Sequence, residues 1–341
     1  MPVTIRDVAR ACDVHVSTVS RTFSAPHLVN PVTRSRVLAA ADALGYRPNR
    51  AARALVTGRT HNIGLIVADI ANPFFPPLIK AAEGQARRRD HHVFVADTNE
   101  DPAVEQELVR ALAKQVDGIL LCSPRMSNAN IERLRHEVPL AVVNRVIPDL
   151  PAVLMDVAHG ARQALDHLSA LGHHEIVYLS GPHGSWTSRE IGTAVQAGAR
   201  EHGLRLRVLG PHQPTETAGQ GAAEQVLACG ATAVLAYNDL MAVGLLEGLD
   251  ALGVPVPEQV SVVGIDDIAL SRFTRPRLTT VTMPAAAAGT AAVDLLLHGT
   301  SDGASAAAQV RLPTSLVVRQ SSGPAAASRP GSPRTALGAP R

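Results

Sequence analysis

The chain of 341 residues is 46% hydrophobic and only 3% aromatic, so it can form two or three domains with aliphatic cores. It has no run of about eighteen apolar residues and no secretory signal, so we expect a cytoplasmic protein without a membrane partner. Its three widely separated cysteines fit a reducing compartment and match no metal-site spacing. We therefore expect neither a metal nor another cofactor.

Charge is concentrated at the start of the chain. Residues 1–60 contain nine arginines, no lysine and three acids, whereas the rest of the chain carries 23 basic and 27 acidic side chains. A basic amino-terminal segment on a mildly acidic body is typical of a nucleic-acid-binding protein with a separate regulatory domain.

The first predicted elements are a helix, a tight turn and a second helix within residues 4–23. Thr4 is a suitable N-cap for the first helix, and Asp7 completes a capping box. Asp13 tolerates the positive φ that the turn requires. The second helix, from about residue 16 to 23, directs Val19 and Phe23 inward. Its outward-facing side chains are Val16, Ser17, Ser20 and Arg21, and a unit of this shape fits a DNA major groove.

A third helix is predicted between Asn30, its cap, and Gly45. Its expected inward-facing side chains are Val32, Val37, Leu38, Ala41 and Leu44. A short Ala-rich segment follows at residues 49–58. Because two helical turns are too short to be stable alone, this segment is predicted to be a conditional helix that works as a switch.

After residue 60 the pattern changes to buried strands that alternate with amphipathic helices, in two similar series. This order predicts an α/β fold of two doubly wound parallel-sheet lobes with a cleft between them. Ligands of open parallel sheets bind beyond the carboxyl ends of the strands. The segments that follow strands here are 69–75, the loop after Val143, 181–189, 237–239 and 266–267.

Several motifs can be compared with known families. The head carries T-I-x-D-V-A-x-x-x-x-V-x-x-x-T-V-S-R at 4–21 and G-Y-x-P-N-x-x-A-x-x-L at 45–55. The body carries N-P-F-F at 72–75, N-D-x-M-A-x-G at 238–244 and S-V-V-G-I-D-D at 261–267. The head resembles the lactose/galactose repressor (LacI/GalR) family of bacterial transcription regulators. The body resembles that family's effector domain, which is itself similar to periplasmic sugar-binding proteins.

The resemblance implies a domain organisation. A helix-turn-helix DNA-binding domain covers residues 1–48, a hinge helix covers 49–58, and an effector-binding and dimerisation domain covers 59–320. The first lobe of that domain comprises about residues 60–156 and 283–311, and the second comprises about 157–282 and 312–320. Residues 321–341 are rich in Ala, Pro, Gly, Ser and Arg without periodicity and are predicted to be disordered.

The resemblance also implies DNA contacts. Val16 and Ser17 occupy specificity positions, and Arg21 occupies the position that reaches a base, typically O6 and N7 of guanine. Leu55 matches the hinge-helix leucine that inserts into the minor groove at the operator centre. The positions that hold the phosphate backbone match His15, Thr18, Ser20, Asn30, Thr33, Tyr46 and Asn49. His15 stands where the family usually has a serine N-cap, so its capping role is open.

In the cleft, the resemblance assigns Phe74 and Phe75 to the wall of an effector pocket. The implied polar contacts are Asn144, Arg189, Asn238 and Asp266. This set suits a sugar, because carboxylate, amide and guanidinium groups bind hydroxyls and an aromatic face packs on the C–H side of a ring. Trp186 is a candidate to replace an aromatic that residues 213–219 lack, or else a half-exposed loop anchor. Turn capping is the alternative role of Asn238 and Asp266, and a surface salt bridge that of Arg189.

The sequence thus predicts a non-enzymatic repressor that binds double-stranded operator DNA as a homodimer. Its expected allosteric effector is a small molecule, a sugar or sugar derivative. A purine or a phosphoprotein corepressor is the alternative effector, and a sugar-binding protein without a DNA role is the alternative of another class. A doubly wound fold does not exclude an enzyme, but the chain lacks a phosphate-binding loop, a G-x-S-x-G motif and a Cys/His metal set.

Overall fold

The computed structural model describes residues 3–47, 58–302 and 308–325, and the chain forms two compact units, Met1–His61 and Asn62–Arg341. The predicted hinge helix, with Asn49 and Leu55, lies outside the described residues except for Gly58. No helix in the described part of the chain is long and apolar enough to cross a membrane.

The first unit is a head of three helices: α1 (Ile5–Ala11), α2 (Val16–Ser24) and α3 (Pro31–Ala43). The Asp7 carboxylate accepts bonds from the Thr4 N–H at 3.0 Å and the Thr4 hydroxyl at 2.7 Å, which closes the capping box on α1. Asp13 adopts the left-handed φ of 48° that the turn before α2 requires. The core consists of small and branched side chains: Val8, Ala9, Cys12, Val19, Val37 and Ala41.

The prediction for the buried face of α3 is partly wrong. Val37 and Ala41 are buried, but Val32 and Leu38 are 78% and 44% exposed. At about 100° per residue, Val32 and Leu38 lie roughly 140° and 100° around the helix from Val37, and so small a head has no second layer to cover them. Leu44 is 39% exposed because α3 ends at Ala43 and Leu44 is its C-cap.

The second unit consists of two lobes, each built on a six-stranded sheet. The sheet of the first lobe has the order β11-β5-β4-β3-β1-β2 and is parallel throughout. Its strands are β1 (Asn62–Val67), β2 (His92–Asp97), β3 (Gly118–Cys122), β4 (Leu140–Val143), β5 (Ala152–Met155) and β11 (Gln309–Leu312). Its helices are α4 (Phe75–Arg88), α5 (Pro102–Leu112), α6 (Asn128–Leu134) and α12 (Ala285–Asp302).

The sheet of the second lobe has the order β12-β10-β9-β8-β6-β7, and only the short edge strand β12 is antiparallel. Its strands are β6 (Glu175–Leu179), β7 (Arg205–Leu209), β8 (Ala233–Ala236), β9 (Ser261–Asp266), β10 (Thr279–Thr282) and β12 (Ser315–Val317). Its helices are α7 (Val157–Ala170), α8 (Trp186–Glu201), α9 (Glu216–Gly221), α10 (Ala223–Ala228) and α11 (Asp239–Ala251). The predicted fold class, a helical head with two parallel-sheet α/β lobes, is confirmed.

Three short crossings connect the lobes: at Asp156, at Met283-Pro284 and at Pro313-Thr314. The first and third are bonded to each other, since the Thr314 hydroxyl donates to the Asp156 carbonyl at 2.7 Å and the Asp156 N–H donates to the Leu312 carbonyl at 2.9 Å. The residues beside the second and third are also bonded, because the Ser315 N–H donates to the Thr282 hydroxyl oxygen at 3.1 Å. Gly160 keeps this region tight, because a Cβ there would lie 2.8 Å from the Thr314 hydroxyl oxygen. The crossings therefore form one hinge.

The beginning of the tail differs from the predicted disorder. Ser321 is fully buried, and its hydroxyl donates to the Val262 carbonyl at 2.5 Å. The Gly323 N–H donates to Ser261 Oγ at 3.1 Å, and the Ala325 N–H donates to the Leu171 carbonyl at 2.8 Å. Small residues lack a hydrophobic periodicity, but their backbone and hydroxyl groups form these hydrogen bonds, and residues 321–325 form a strap on the second lobe. Residues 326–341 lie outside the described part.

Candidate DNA-binding surface and effector cleft

The outer face of α2 has the polar character that a DNA-reading helix needs. Ser17, Ser20 and Arg21 are exposed, and Val16 is half-buried beside them. Within the described residues, the exposed Arg21 guanidinium forms no hydrogen bond or ion pair with another side chain. Val19 on the opposite face is fully buried and fixes the helix on the head.

His15 does cap α2. Its Nδ1 accepts a hydrogen bond from the Ser17 N–H at 3.2 Å and lies 2.8 Å from the Ser17 hydroxyl. Because Nδ1 can accept only without a proton, this bond selects the tautomer with its proton on Nε2. Histidine thus takes over the role of the serine that the family usually places here.

The other predicted phosphate contacts have mixed surroundings. Asn30 is exposed and also caps α3, because its Oδ1 accepts from the Val32 N–H at 2.9 Å. Tyr46 is half-buried and its ring packs on Phe23 at a centroid distance of 5.9 Å. Thr18 and Thr33 are half-buried. The structure brings these residues onto one small head, and their contacts with DNA stay a prediction.

The carboxyl ends of the two sheets meet at a cavity between the lobes. Five of the predicted cleft residues line it: Phe74, Phe75, Asn144, Asn238 and Asp266. The other lining residues are Asn72, Glu100, Ser123, Arg125, Thr187, Pro214, Tyr237 and Met283. The cavity is small, with a volume of about 30 Å³.

The wall from the first lobe combines two aromatic rings with an amide. Phe74 and Phe75 are buried and pack edge to face, with centroids 5.1 Å apart. Asn72 orients them, since its Oδ1 accepts from the Phe74 N–H at 3.0 Å. Asn144 has a left-handed φ of 56°, and its Oδ1 accepts from the Met155 N–H at 3.3 Å. A strained backbone at a cavity is typical of a residue held for function.

An ion pair that the sequence reading missed also belongs to the first-lobe wall. The Arg125 guanidinium donates to both carboxylate oxygens of Glu100, and its Nη2 lies 2.8 Å from Oε1. Its Nη1 donates to the Ser123 carbonyl at 2.6 Å. Behind the pair, the Glu105 carboxylate accepts the backbone N–H of Arg125 at 2.9 Å. Arg125 is therefore fixed from both its backbone and its side chain.

The second lobe closes over this ion pair. A Cβ on Gly184 would lie 3.1 Å from the Arg125 carbonyl oxygen, so the 181–185 loop runs directly above Arg125. The Tyr237 hydroxyl is 3.0 Å from Ser185 Oγ, and the ring of Tyr237 packs against Gly181. Ser185 in turn caps α8 by accepting from the Ser188 N–H at 3.1 Å. These contacts fix the position of the 181–185 loop above the cavity.

Asn238 and Asp266 both sit where a strand ends. Asn238 caps α11, because its Oδ1 accepts from the Met241 N–H at 3.0 Å, and its amide donates to the Pro214 carbonyl at 3.1 Å. The capping role is therefore real and leaves one amide hydrogen for a ligand. Asp266 has an unusual φ of 131°. Burial, followed by repulsion from Asp239, raises the pKa of Asp266 well above its ordinary value.

Asp239 organises the turn that carries Asp266. Its carboxylate accepts bonds from the Ile268 N–H at 3.0 Å and from the hydroxyls of Ser271 and Thr280 at 2.5 Å each. Burial raises the pKa of Asp239 to about 6 although these three bonds oppose the shift. No side chain can fit at Gly264 beside it, because a Cβ there would lie 2.2 Å from Asp239 Oδ1.

The two remaining predicted cleft residues do not line the cavity. Trp186 is half-buried and packs against the hydrophobic cluster of the first lobe, which agrees with an anchor between the lobes. Arg189 lies one turn further along α8 and is exposed. The strand-end rule did indicate Tyr237, but the predicted segments did not include the loops after β2 and β3, where Glu100 and Arg125 each lie three residues beyond the end of the strand. Within the described residues, no cluster of His, Cys, Asp or Glu could hold a metal.

Known proteins resemble both units. The profile described as bacterial regulatory proteins of the lacI family matches residues 4–49, and that of a periplasmic binding protein-like domain matches residues 165–322. The HTH-type transcriptional regulator GalS of Salmonella typhimurium (strain LT2) is 33% identical over 305 residues, covering 87% of this chain and 90% of GalS.

Solved structures agree with this similarity. A lac repressor dimer bound to operator and the anti-inducer ONPF superimposes with a TM-score of 0.85 at 27% identity, over 95% of this chain and 100% of the repressor. A complex of the transcriptional regulator CelR with cellobiose gives a TM-score of 0.70 at 28% identity, over 94% of this chain and 99% of CelR.

The cap on α2 can be tested by substitution. His15→Ala removes the acceptor for the Ser17 N–H and should destabilise the head by about 1 kcal/mol, whereas His15→Ser should keep a cap and most of the stability. Hydrogen exchange of the α2 amides measures the difference. Equal protection in the wild type and in His15→Ala would show that Nδ1 contributes nothing.

The buried carboxylate at Asp239 predicts a pH dependence. Its pKa of about 6 in the folded state exceeds the ordinary 3.8, so its contribution to stability is complete below pH 3.8 and is lost as the pH rises through 6. From about pH 4 to about pH 7, Asp239→Asn should gain on the order of 2 kcal/mol relative to the wild type. Urea denaturation measures this, with exposed Asp250→Asn on the same helix as the control. Parallel curves for wild type and Asp239→Asn would contradict the shift.

Proposed function

This chain belongs to the lacI family of bacterial regulatory proteins and is a DNA-binding transcriptional regulator. We propose that it is a dimeric repressor whose affinity for its operator is lowered or raised by a sugar bound in the cleft. The observation that carries the proposal is that one chain holds both a helix with an exposed polar reading face and a cavity at the carboxyl ends of two parallel sheets. The relatives whose complexes are known include a repressor on its operator and a regulator with cellobiose.

For operator reading, we propose that Arg21 contacts a base and that Val16 and Ser17 set specificity. The free donors of Arg21 fit the paired acceptors of guanine in the major groove. His15, Thr18, Ser20, Asn30, Thr33, Tyr46 and Asn49 are proposed to hold the phosphate backbone, and Leu55 to enter the minor groove. The phosphate contacts would give affinity and orientation, and the few base contacts would give sequence preference.

For the effector, we propose that Phe74, Phe75, Asn144, Asn238 and Asp266 contact the ligand. Trp186 and Arg189, which stand on the first turn of α8, are proposed to reach it when the lobes adjust. The bonded crossings at Asp156 and Thr314 support a hinge rotation rather than a separation of the lobes. A ligand that prefers one rotation would shift the operator affinity by a coupling typically of about 1–3 kcal/mol.

For assembly, we propose that two copies associate through the first lobe. The edge strand β2 exposes Phe94 and Val95, and Ile70 is exposed beside its end, where the Ile70 N–H donates to Asp97 Oδ1 at 3.1 Å. An apolar group at the free edge of a sheet is a common place for a protein partner. Two-fold symmetry of the dimer would match a pseudo-palindromic operator.

The role of Arg21 predicts a selective loss. Arg21→Ala should weaken binding to the preferred operator by about 1–3 kcal/mol and relax the preference at one base pair of each half-site. Arg10→Ala is a suitable control, because Arg10 is exposed on α1 and pairs with Asp7. In vitro selection followed by fluorescence anisotropy measures both effects. An unchanged binding motif in Arg21→Ala would rule out base readout.

The proposed dimer face predicts an effect on assembly. Phe94→Asp should convert the dimer to monomers at micromolar concentration, because a charge would be buried in an apolar interface. Val208→Asp is a matched control, since Val208 lies on the edge strand of the other lobe and is 47% exposed against 44% for Phe94. Sedimentation equilibrium measures the oligomeric state of both variants. If the two variants have the same oligomeric state, the dimer face does not include Phe94.

The complete mechanism is tested by operator release. The complex of the full chain with a selected operator is titrated with galactose, ribose, cellobiose, their phosphates and purines while anisotropy is recorded. At least one sugar should change operator affinity by about tenfold, and Asp266→Ala should abolish that response without changing operator affinity alone. A response only to purines would replace the sugar by a nucleobase, and a response that survives Asp266→Ala would move the effector site.

A further inference from the structure

The ion pair of Glu100 and Arg125 determines which class of effector the cleft accepts. This inference rests on the proposed function, because it concerns the ligand of the same cavity. Both side chains line the cavity, both are largely buried, and neither belongs to the motifs by which the chain resembles its family.

The guanidinium of Arg125 is already occupied. Its Nε and Nη2 donate to the two carboxylate oxygens of Glu100, and its Nη1 donates to the Ser123 carbonyl. The loops that supply the partners are constrained, since Asn99 and Glu100 both have left-handed φ values, of 50° and 64°. The pair is therefore built into the wall and is not a chance surface contact.

The charges around the cavity leave no positive excess. Among the described lining residues, Arg125 is the one cation, and the acidic residues are Glu100 and Asp266. With Asp266 protonated the lining is neutral, and with Asp266 ionised it carries one negative charge. In neither state does the wall attract an anion.

The nearest other cations stand outside this lining. Arg145 is buried, but its guanidinium donates to Asn128 Oδ1 at 2.7 and 3.0 Å and to the Pro124 carbonyl at 3.0 Å. Arg189 is exposed and lies outside the cavity lining. The ligand contact proposed for Arg189 above comes from the second lobe and leaves Glu100 beside Arg125. An anion in the cavity would thus either lie beside the Glu100 carboxylate, which repels it, or displace Glu100 from Arg125 and leave a buried carboxylate without its partner, and both are unfavourable.

We propose that Glu100 and Arg125 are specificity-determining residues that select an uncharged polyhydroxylated ligand and reject sugar phosphates, sugar acids and nucleotides. A hydroxyl can donate to a free lone pair of Glu100 and accept from a remaining N–H of Arg125 without breaking the pair. A phosphate or carboxylate can do only the second and is repelled by Glu100. Rejection of anions therefore comes from the carboxylate, and removal of its charge should reverse the preference.

The test uses the full-length protein and the fluorescence of Trp186, which is the one tryptophan of the chain and packs between the lobes. This signal reports on the cleft, whereas thermal shifts would also report anions on the arginine-rich head. The probes are inorganic phosphate and three matched pairs at constant ionic strength: galactose and galactose 6-phosphate, ribose and ribose 5-phosphate, and cellobiose and cellobionate. The variants are Glu100→Gln and, as a control, Glu201→Gln, which neutralises the surface partner of Arg162.

In the wild type and in Glu201→Gln, we expect no saturable response to phosphate and, in any pair that binds, at least about tenfold tighter binding of the uncharged member. In Glu100→Gln, the freed guanidinium should bind phosphate at least about tenfold more tightly than in the wild type, and the uncharged sugar should bind more weakly. Saturable phosphate binding by the wild type, tighter binding of an anionic member, or no gain in Glu100→Gln would each overturn the proposal.

If Glu100→Gln does not fold, the binding of phosphate and of the matched pairs to the wild type still tests the proposed rejection of anions. Failure of the two proposals can also be told apart. If an anionic sugar binds best, the cleft is an effector site and only the selection by charge is wrong. If no sugar of any pair binds while phosphate binds to Glu100→Gln alone, the inference on charge holds and the sugar proposal fails.

Discussion

The hinge is the constraint on which the body of this regulator depends. Three crossings lie side by side, and the hydrogen bonds of Asp156 with Leu312 and Thr314 hold two of them together. Because another crossing contributes Met283 to the cavity wall, the cavity and the hinge share a residue. Any change in the angle between the lobes must alter the cavity, and any occupant of the cavity must act on the angle. The hinge therefore couples occupancy of the cavity to the angle between the lobes.

Much of the fold follows from the amino-acid pattern, since parallel strands buried on both faces are continuous apolar runs that stand out beside amphipathic helices. The strand-end rule found Asn238 and Asp266 for the same reason. It did not find Glu100 and Arg125, because their pairing joins two loops 25 residues apart and requires left-handed backbone at Glu100. The same rule predicted that Arg189 lies in the cavity. The loop before α8 instead contacts Arg125 at Gly184, and Arg189, on the helix after that loop, is exposed.

The head shows where local patterns are sufficient and where they fail. The cap at Thr4 and the turn at Asp13 depend on neighbouring residues only, and both were predicted. The exposure of Val32 and Leu38 depends on how many helices are present to cover α3, which a helical period does not reveal. The role of His15 is set by a neighbouring residue but is not evident from the residue type alone. A histidine acts as a cap at Nδ1 only in one tautomer, and its bond to Ser17 selects that tautomer.

The strap at residues 321–325 has a practical consequence. As far as residue 325, the chain after the last crossing stays on the second lobe, and the strap is bonded to strand β9 through Ser321 and to the end of α7 through Ala325. A fluorophore attached at Ala325 would therefore move with the second lobe, and one attached at an exposed position of α4 would move with the first lobe. Energy transfer between the two would follow the hinge angle in single molecules, without a probe inside the cleft.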